Sequence, residues 1–307
     1  MRLREWLKHG EALLSDGPHA DRARRDAETL LLHHVGKNKA WLMAHDEEEF
    51  AGCSSIGYAA LLERRRMGEP IQYLIGECEF YGLPFRVTPD VLIPRPETEH
   101  LVEKALALAI PAGAKTNLGA QTKPLHLRLG CESANLDQPL RILDVGTGSG
   151  AIAIALATKI PNASITAIDI SASALTVARE NATRNQVSYR IRFLEGDLLS
   201  PVAGEQFDLI VSNPPYIPNS DRALIAAEVR EHEPAVALFG GEDGLGIYRC
   251  LIPAARDALV PGGYLAFEFG FTQMPNIELL LKQTGFQNIE FVHDLQGIPR
   301  VGSAQKT

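Results

Sequence analysis

Hydrophobic positions follow two different periods along the chain. From Leu3 to about Tyr73, apolar residues recur at spacings of three and four, as in Leu3, Trp6 and Leu7, and this spacing predicts amphipathic helices. After Pro139, short apolar runs at 141–145, 164–169, 190–195, 207–212 and 263–268 alternate with helical segments such as 151–160 and 173–185. The chain therefore divides into an all-helical part and a part with a strand-helix rhythm.

The strand-helix rhythm predicts an α/β fold with a doubly covered parallel sheet of Rossmann-like type. Such sheets bind ligands at the carboxyl ends of their strands. We expect a small N-terminal helical domain at 1–75, a β-hairpin linker at 76–96 and the α/β domain at 97–307. Within that domain, residues 111–139 lose periodicity and are interpreted as a surface loop.

Composition narrows the class of protein. The 307 residues are 45% hydrophobic and 22% charged, which excludes disordered, collagen-like and disulfide-scaffold proteins. The net charge of −8 gives no global positive field, so we expect no direct nucleic-acid binding, although a local basic patch stays open.

The four cysteines form no C-x-x-C pair, and no metal site is predicted. The N-terminus has no apolar run typical of a signal peptide, and no segment matches a membrane span, so a cytoplasmic protein is expected.

A glycine loop follows the first predicted strand of the α/β part. Gly146, Thr147, Gly148, Ser149 and Gly150 lead directly into a helix, where glycines permit close backbone approach to a ligand and the helix end offers free N–H donors. The spacing is G-x-G-x-G, whereas the dinucleotide fingerprint is G-x-G-x-x-G. The loop therefore favours a nucleoside without a pyrophosphate, with a plain strand-helix turn as the alternative.

Two carboxylates follow the next two predicted strands. Asp169 closes the second strand, where it can accept hydrogen bonds from two vicinal ribose hydroxyls. Its alternative role is to cap the next helix, which Ser171 or Ser173 could also do. Asp197 follows the third strand and can accept a hydrogen bond from an adenine amine, or simply form a turn.

The segment Asn-Pro-Pro-Tyr at 213–216 ends the fourth predicted strand. Two consecutive prolines remove two sheet donors and hold the chain in a rigid extended path. A planar NH₂ group can then donate one proton to the Asn213 side-chain oxygen and the other to the Pro214 carbonyl, with Tyr216 stacked on its face. We interpret this segment as a binding site for a flat amino or amide group.

Taken together, these features resemble the class I S-adenosylmethionine-dependent methyltransferases that act on planar nitrogens. Further motifs resemble the HemK/PrmC family of release-factor glutamine methyltransferases over nearly the whole chain except 111–139. They are Gly-Glu-Pro-Ile-Gln-Tyr-Leu-Ile-Gly at 68–76, the predicted hairpin at 80–87, Leu-Ile-Pro-Arg-Pro-Glu-Thr-Glu at 92–99, and Glu-Val-Arg-Glu-His-Glu-Pro-Ala at 228–235.

The resemblance implies an enzyme that uses S-adenosyl-L-methionine to methylate the glutamine amide in the Gly-Gly-Gln motif of bacterial peptide chain release factors. It implies that Asn213, Pro214 and Tyr216 are catalytic and that Pro215 joins them in holding the substrate glutamine. The implied cofactor site comprises Gly146, Thr147, Gly148, Ser149, Gly150, Asp169, Asp197, Leu198 and Asn213. The chain departs from the family pattern at Leu198, where relatives often have an aromatic residue beside adenine, and in the longer segment 111–139.

Other functions stay open at this point. A ribosomal-protein glutamine methyltransferase uses the same motifs, and a DNA adenine methyltransferase would act on a similar planar amine but must flip a base and bind phosphates. An NAD-dependent oxidoreductase would need a different glycine spacing, and a non-catalytic cofactor-binding protein is the remaining class. Arg95 is a candidate contact to the substrate loop, while Glu97 and Arg230 either position a partner or form structural ion pairs.

Overall fold

A computed structural model describes residues 1–50, 53–109, 139–294 and 296–307. The loop predicted at 111–139 therefore lies outside the described residues, apart from Pro139. The chain forms two compact units. The first comprises Met1–Glu77 and Ile225–Glu233, and the second comprises Cys78–Leu224 and Pro234–Thr307. The first unit thus includes a short segment that the sequence analysis assigned to the α/β domain.

The first unit is helical. Its core is formed by apolar side chains at the predicted three- and four-residue spacings, including Leu30, Leu31 and Leu62, which are fully buried. Tyr58 packs among them, and its hydroxyl donates to the Ala27 carbonyl at 3.0 Å, so the one polar atom of the ring is satisfied. The helices are α1 (Leu3–Ser15), α2 (Ala23–Val35), α3 (Lys39–His45), α4 (Cys53–Arg66), α5 (Ile71–Ile75) and α9 (Ala227–His232).

A buried arginine on α4 contacts α2 and α9 within this unit. Arg65, on α4, has only 1% of its side chain exposed and donates to Asp26 of α2 at 2.7 Å. It also donates to Glu228 of α9 at 2.6 Å. A buried guanidinium needs charged acceptors. The segment Ile225–Glu233 supplies one of them from a distant part of the sequence.

The second unit begins at Cys78, one residue into the first strand of a hairpin, and continues into a helix. β1 (Glu77–Phe80) and β2 (Leu83–Arg86) form a two-stranded sheet, and the buried rings of Phe80 and Phe85 meet edge to face. A short 3₁₀ turn at Pro96–Thr98 then leads into α6 (Glu99–Ala109).

A seven-stranded sheet forms the centre of the second unit, in the order β5-β4-β3-β6-β7-β9-β8. The first five strands in that order are parallel, and β9 and β8 complete the sheet antiparallel. The strands are β3 (Leu140–Val145), β4 (Ala163–Asp169), β5 (Ile191–Glu195), β6 (Phe207–Ser212), β7 (Leu259–Glu268), β8 (Gln287–His293) and β9 (Pro299–Gln305). The remaining helices are α7 (Ala151–Lys159), α8 (Ala172–Arg184), α10 (Gly246–Ala258) and α11 (Met274–Thr284).

The predicted fold class is confirmed, including the near-continuous apolar strands of a sheet covered on both faces. One strand is longer than predicted, because Leu259 already pairs with Phe207 before a bulge at the start of β7. From β3, the next strands in the sequence, β4 and β5, are added on one side of the sheet, and β6 and β7 are added on the other side. This reversal between β3 and β6 is a topological switch point, where ligand sites form in such sheets.

Among the described helices, none combines the length and the apolar character needed to cross a membrane.

Candidate functional site

A cavity of about 200 Å³ opens at the carboxyl ends of β3, β4 and β6, at the switch point of the sheet. Ten of the residues predicted as site residues line it. They are Gly146, Thr147, Gly148, Ser149, Asp169, Asp197, Leu198, Asn213, Pro214 and Pro215. The structure thus brings the glycine loop and the Asn-Pro-Pro segment to one cavity.

Two predicted site residues do not line this cavity. Gly150 is the N-cap of α7, and its Cα faces Ile154 and Ala178. Tyr216 is half-buried, donates its hydroxyl to Glu268 and accepts a hydrogen bond on its carbonyl from Gln273. Both residues support the walls of the site in this structure.

The glycine loop has the backbone conformation that only glycine adopts without strain. The φ angles are +73° at Gly146, +54° at Gly148 and +82° at Gly150. The N–H groups of Gly146 and Thr147 both donate to the Ile168 carbonyl at 2.9 Å, which ties the loop to the end of β4. The fold therefore holds the loop against the neighbouring strand.

Asp144, at the end of β3, is fully buried beneath the loop. Its Oδ2 accepts hydrogen bonds from the Thr147 hydroxyl at 2.7 Å and from the Ala153 N–H at 3.2 Å. Burial raises the pKa of Asp144 to about 7; the nearby charge of Asp169 contributes to this rise, and the two hydrogen bonds oppose it. Asp144 is thus a structural brace that links the loop to α7.

Asp169 braces the same loop from β4. Its Oδ2 accepts from the Gly148 N–H at 2.7 Å and its Oδ1 from the Ser171 N–H at 2.9 Å. The helix cap of α8 is Ser171, whose hydroxyl accepts from the Ala174 N–H, so Asp169 is not needed as the cap. Each carboxylate oxygen retains a second lone pair. Asp169 can therefore still accept hydroxyl protons at the cavity.

Asp197 and Leu198 form another part of the wall, beyond β5. Asp197 is exposed, and Leu198 has a φ angle of +48°, in the left-handed region that leucine rarely adopts. The preceding Gly196 donates its N–H to the Asp169 carbonyl at 3.0 Å, which fixes this turn beside β4. An apolar side chain and a carboxylate are thereby presented side by side.

The Asn213 side chain connects to two buried residues that the sequence analysis did not select. Its Nδ2 donates to the Thr98 hydroxyl at 3.1 Å, and Thr98 donates to Glu268 Oε2 at 2.6 Å. Thr98 and Glu268 are only 4% and 3% exposed. Burial raises the pKa of Glu268, against the lowering effect of the hydrogen bonds from Thr98 and Tyr216. Glu268 ends β7, and its position at the carboxyl end of a parallel strand is the signal that could have identified it.

Three further candidates from the sequence lie in different places. Arg95 lines the cavity, and Glu97 is exposed on the turn that precedes Thr98. Arg230 lies in the first unit, where it donates to the Ile225 carbonyl and forms an ion pair with Glu231 at 2.9 Å. Arg230 therefore has local structural partners.

The acceptors and walls of the cavity fit a nucleoside-like cofactor. Open space surrounds the Cα atoms of Gly146 and Gly148, carboxylates stand at Asp169 and Asp197, and apolar side chains include Ile170 and Leu198. Within the described residues, no group of three or more His, Cys, Asp or Glu side chains could hold a metal ion.

Two family models match the chain. The PrmC N-terminal domain matches residues 5–76, and the methyltransferase small domain matches residues 133–233. Among solved structures, a methyltransferase from Pyrococcus furiosus aligns with a TM-score of 0.51 and 19% identity, over 81% of this chain and 98% of that chain. The hMettl16 catalytic domain in complex with the MAT2A 3'UTR hairpin 6 aligns with a TM-score of 0.53 and 13% identity, over 83% and 82%. These two alignments show the methyltransferase fold.

Curated relatives match over almost their full length. A release factor glutamine methyltransferase of Koribacter versatilis is 38% identical over 98% of this chain and 95% of that protein. The proteins of the same name from Geobacter sulfurreducens and Salmonella typhimurium are 39% identical over 92% and 89%, and 38% identical over 98% and 98%, respectively. The chain therefore belongs to the release factor glutamine methyltransferase family.

Proposed function

We propose that this protein transfers the methyl group of S-adenosyl-L-methionine to the side-chain amide nitrogen of the glutamine in the Gly-Gly-Gln motif of bacterial peptide chain release factors. One observation carries the proposal: Asn213 and Pro214 line the same cavity as the glycine loop and Asp169. A cofactor on the loop and a flat amide at Asn213 would therefore meet. The names of the full-length relatives support the choice of substrate.

The cofactor would be held by the residues at the ends of β3, β4 and β5. The glycine loop would let the polar end of the cofactor approach the backbone closely, and the Asp169 carboxylate would accept protons from the ribose hydroxyls. Asp197 would accept from the adenine amine, with Leu198 as the apolar contact to the ring. S-adenosylmethionine supplies an electrophilic methyl group attached to a sulfonium.

The substrate glutamine would be held by the segment that follows β6. The Asn213 side-chain oxygen and the Pro214 carbonyl would each accept one proton of the substrate NH₂ group. The Ser212 hydroxyl donates to the Val145 carbonyl at 2.8 Å, so the ends of β6 and β3 are joined beneath the segment. Pro215 stiffens the segment, and Tyr216 supports it from outside the cavity through its hydrogen bonds with Glu268 and Gln273.

Orientation is the main contribution that these residues make to the reaction. An amide nitrogen is a weak nucleophile because its lone pair is delocalised into the carbonyl. Holding the nitrogen in line with the methyl carbon can contribute about 7–11 kcal/mol. Acceptors at both N–H bonds would stabilise the positive charge that develops on nitrogen. The proton can leave after methyl transfer, so the proposal requires no general base.

The proposed partners set the location of the enzyme. Release factors act during translation, so the protein would work in the cytoplasm. The proposal includes no direct contact with nucleic acid.

Mass spectrometry of the substrate tests the proposal. Purified release factor is incubated with enzyme and S-adenosylmethionine and then digested, and the peptide that contains Gly-Gly-Gln is expected to gain one methylene mass on glutamine. A release factor with that glutamine changed to glutamate is the matched control and should gain none. Ribosomal protein and adenine-containing DNA are tested in parallel. Methylation of either of these, with none on the release factor, would contradict the proposal.

A further inference from the structure

The two ends of the Asn213 side-chain amide differ in chemistry but have nearly the same shape. Only the oxygen can accept a proton from a substrate NH₂ group, while the nitrogen would repel it. Geometry alone fixes the position of the amide plane without fixing which end faces the substrate. A neighbouring group must therefore select the orientation.

Thr98 and Glu268 form that neighbouring group. The Thr98 hydroxyl lies 3.1 Å from Asn213 Nδ2 and 2.6 Å from Glu268 Oε2. The other carboxylate oxygen, Oε1, accepts a hydrogen bond from Tyr216 at 3.2 Å, and the Tyr248 hydroxyl donates to the Glu268 main-chain carbonyl at 2.7 Å. Hydrogen bonds thus hold both carboxylate oxygens of Glu268 and its main-chain carbonyl in place.

The donor and acceptor of each hydrogen bond in the series Asn213, Thr98 and Glu268 follow from counting protons. A hydroxyl has one proton, and a carboxylate can only accept, so Thr98 gives its proton to Glu268. The Thr98 oxygen then has only lone pairs to offer to its other neighbour, which must be the Asn213 NH₂ end. This assignment requires that Oε2 carries no proton, so it applies to the ionised carboxylate and to a carboxyl group protonated on Oε1.

We propose that Thr98 and Glu268 are positioning residues that hold the Asn213 amide with its nitrogen toward Thr98 and its oxygen available to the substrate amide. The inference rests on the proposed function and adds to it the residues that determine which end of the Asn213 amide faces the substrate. Thr98 and Glu268 act through Asn213. They come from the Pro96–Thr98 turn and the end of β7, two places remote in sequence from the Asn-Pro-Pro-Tyr segment.

Kinetics on paired variants test the inference. Thr98→Val keeps the shape of the side chain but removes the hydroxyl, so kcat for release-factor methylation should fall about 10- to 100-fold, less than the roughly 10²- to 10³-fold typical of losing a direct donor or acceptor. Thr98→Ser keeps the hydroxyl and should stay within about threefold of wild type. Calorimetric affinity for S-adenosylmethionine should change little in both variants, because the proposed cofactor contacts come from the glycine loop, Asp169, Asp197 and Leu198.

A double-mutant cycle separates an indirect from a direct role. In an Asn213→Ala background there is no amide to orient, so Thr98→Val should change kcat by less than about twofold. An equal loss in both backgrounds would overturn the inference, because Thr98 would then act on the substrate or on the fold. An unchanged kcat in Thr98→Val alone would overturn it as well.

A spectroscopic measurement on the unaltered protein does not depend on methyl transfer. The Asn213 side-chain NH₂ signal, assigned by its loss in Asn213→Asp, should show nuclear Overhauser contacts to Thr98 side-chain protons. A missing contact would mean that the amide is reversed and would overturn the inference even if Thr98→Val fails to fold. Absence of methylation by the wild-type enzyme would instead contradict the proposed function, so the two failures are distinguishable.

Discussion

Gly150 has the narrowest steric tolerance of the three loop glycines. Its φ angle is +82°, and an added Cβ would lie 2.9 Å from Ile154 Cδ1 and 3.3 Å from Ala178 Cβ. Gly150→Ala should therefore lower the free energy of unfolding by about 2–4 kcal/mol, through left-handed strain and overpacking. Urea unfolding followed by circular dichroism measures this change.

Gly204→Ala is the matched control for that substitution. Gly204 has nearly the same φ angle, +85°, but nothing lies within 4 Å of its added Cβ. It should show the backbone strain alone, about 1–2 kcal/mol. Equal losses at the two positions would mean that the contacts with Ile154 and Ala178 carry no cost.

Asp144 should make the stability of the second unit depend on pH. Its pKa is about 7 in the folded protein, against roughly 3.9 in an unfolded chain. Between these values the folded state binds more protons, so stability falls as pH rises from about 4 to 7, by up to about 1.4 kcal/mol per pH unit. Asp144→Asn retains an acceptor for Thr147 and Ala153 and should flatten this dependence. Parallel slopes for the two proteins, in calorimetric unfolding at several pH values, would contradict the assignment.

The residues of the site differ in how readily the sequence reveals them. The glycine loop, Asp169 and Asn213 each follow an apolar strand, so the rule that parallel strands present ligand sites at their carboxyl ends predicts their shared location. The same rule applies to Glu268, but its strand lacks a neighbouring motif and the residue was not selected. Thr98 could not be chosen, because its role depends on a hydrogen bond between two distant segments.

At the scale of elements, α2, α4 and α9 are joined by the ion pairs of Arg65. Asp26 has 5% of its side chain exposed, and its loss would leave the buried Arg65 charge with Glu228 alone. Asp26→Ala should destabilise the first unit by about 3–5 kcal/mol. Both tryptophans of the chain, Trp6 and Trp41, belong to this unit, so their fluorescence during urea unfolding reports it selectively.

The exposed pair between Glu63 and Arg66 on the same helix provides the control. Solvent and ions screen this pair, so Glu63→Ala should leave the fluorescence-detected transition nearly unchanged. If Asp26→Ala is no more destabilising than Glu63→Ala, the buried pair does not hold the unit together.

The spacing of apolar residues does not predict that α9 belongs to the helical unit. Spacing of apolar residues predicts the helices themselves, because each must bury one face. It carries no information on which unit a short polar helix joins. Ala227–His232 has no buried residue of its own, and Glu228 on it contacts Arg65, over 160 positions earlier, and His19.

At the scale of the whole molecule, the chain combines a helical unit with a methyltransferase unit in which the sheet and the cavity are built. The polypeptide leaves the second unit after Leu224 and returns to it at Pro234. Pro234, Val236 and Ala237 line the cavity, so the wall of the site begins where the chain returns from the helical unit. A strand-helix pattern predicts the sheet, but this excursion depends on tertiary contacts and is not encoded in the pattern.

The role proposed for Asn213 is to orient the substrate amide for methyl transfer to nitrogen. Its most direct test is the single-turnover rate of radiolabelled methyl transfer from S-adenosylmethionine to a purified release factor, measured for wild type and Asn213→Ala, with cofactor affinity determined by calorimetry for both. We expect a fall in rate of about 10²- to 10³-fold that persists at saturating S-adenosylmethionine, because Asn213 also belongs to the expected cofactor site. An unchanged rate in Asn213→Ala would contradict it.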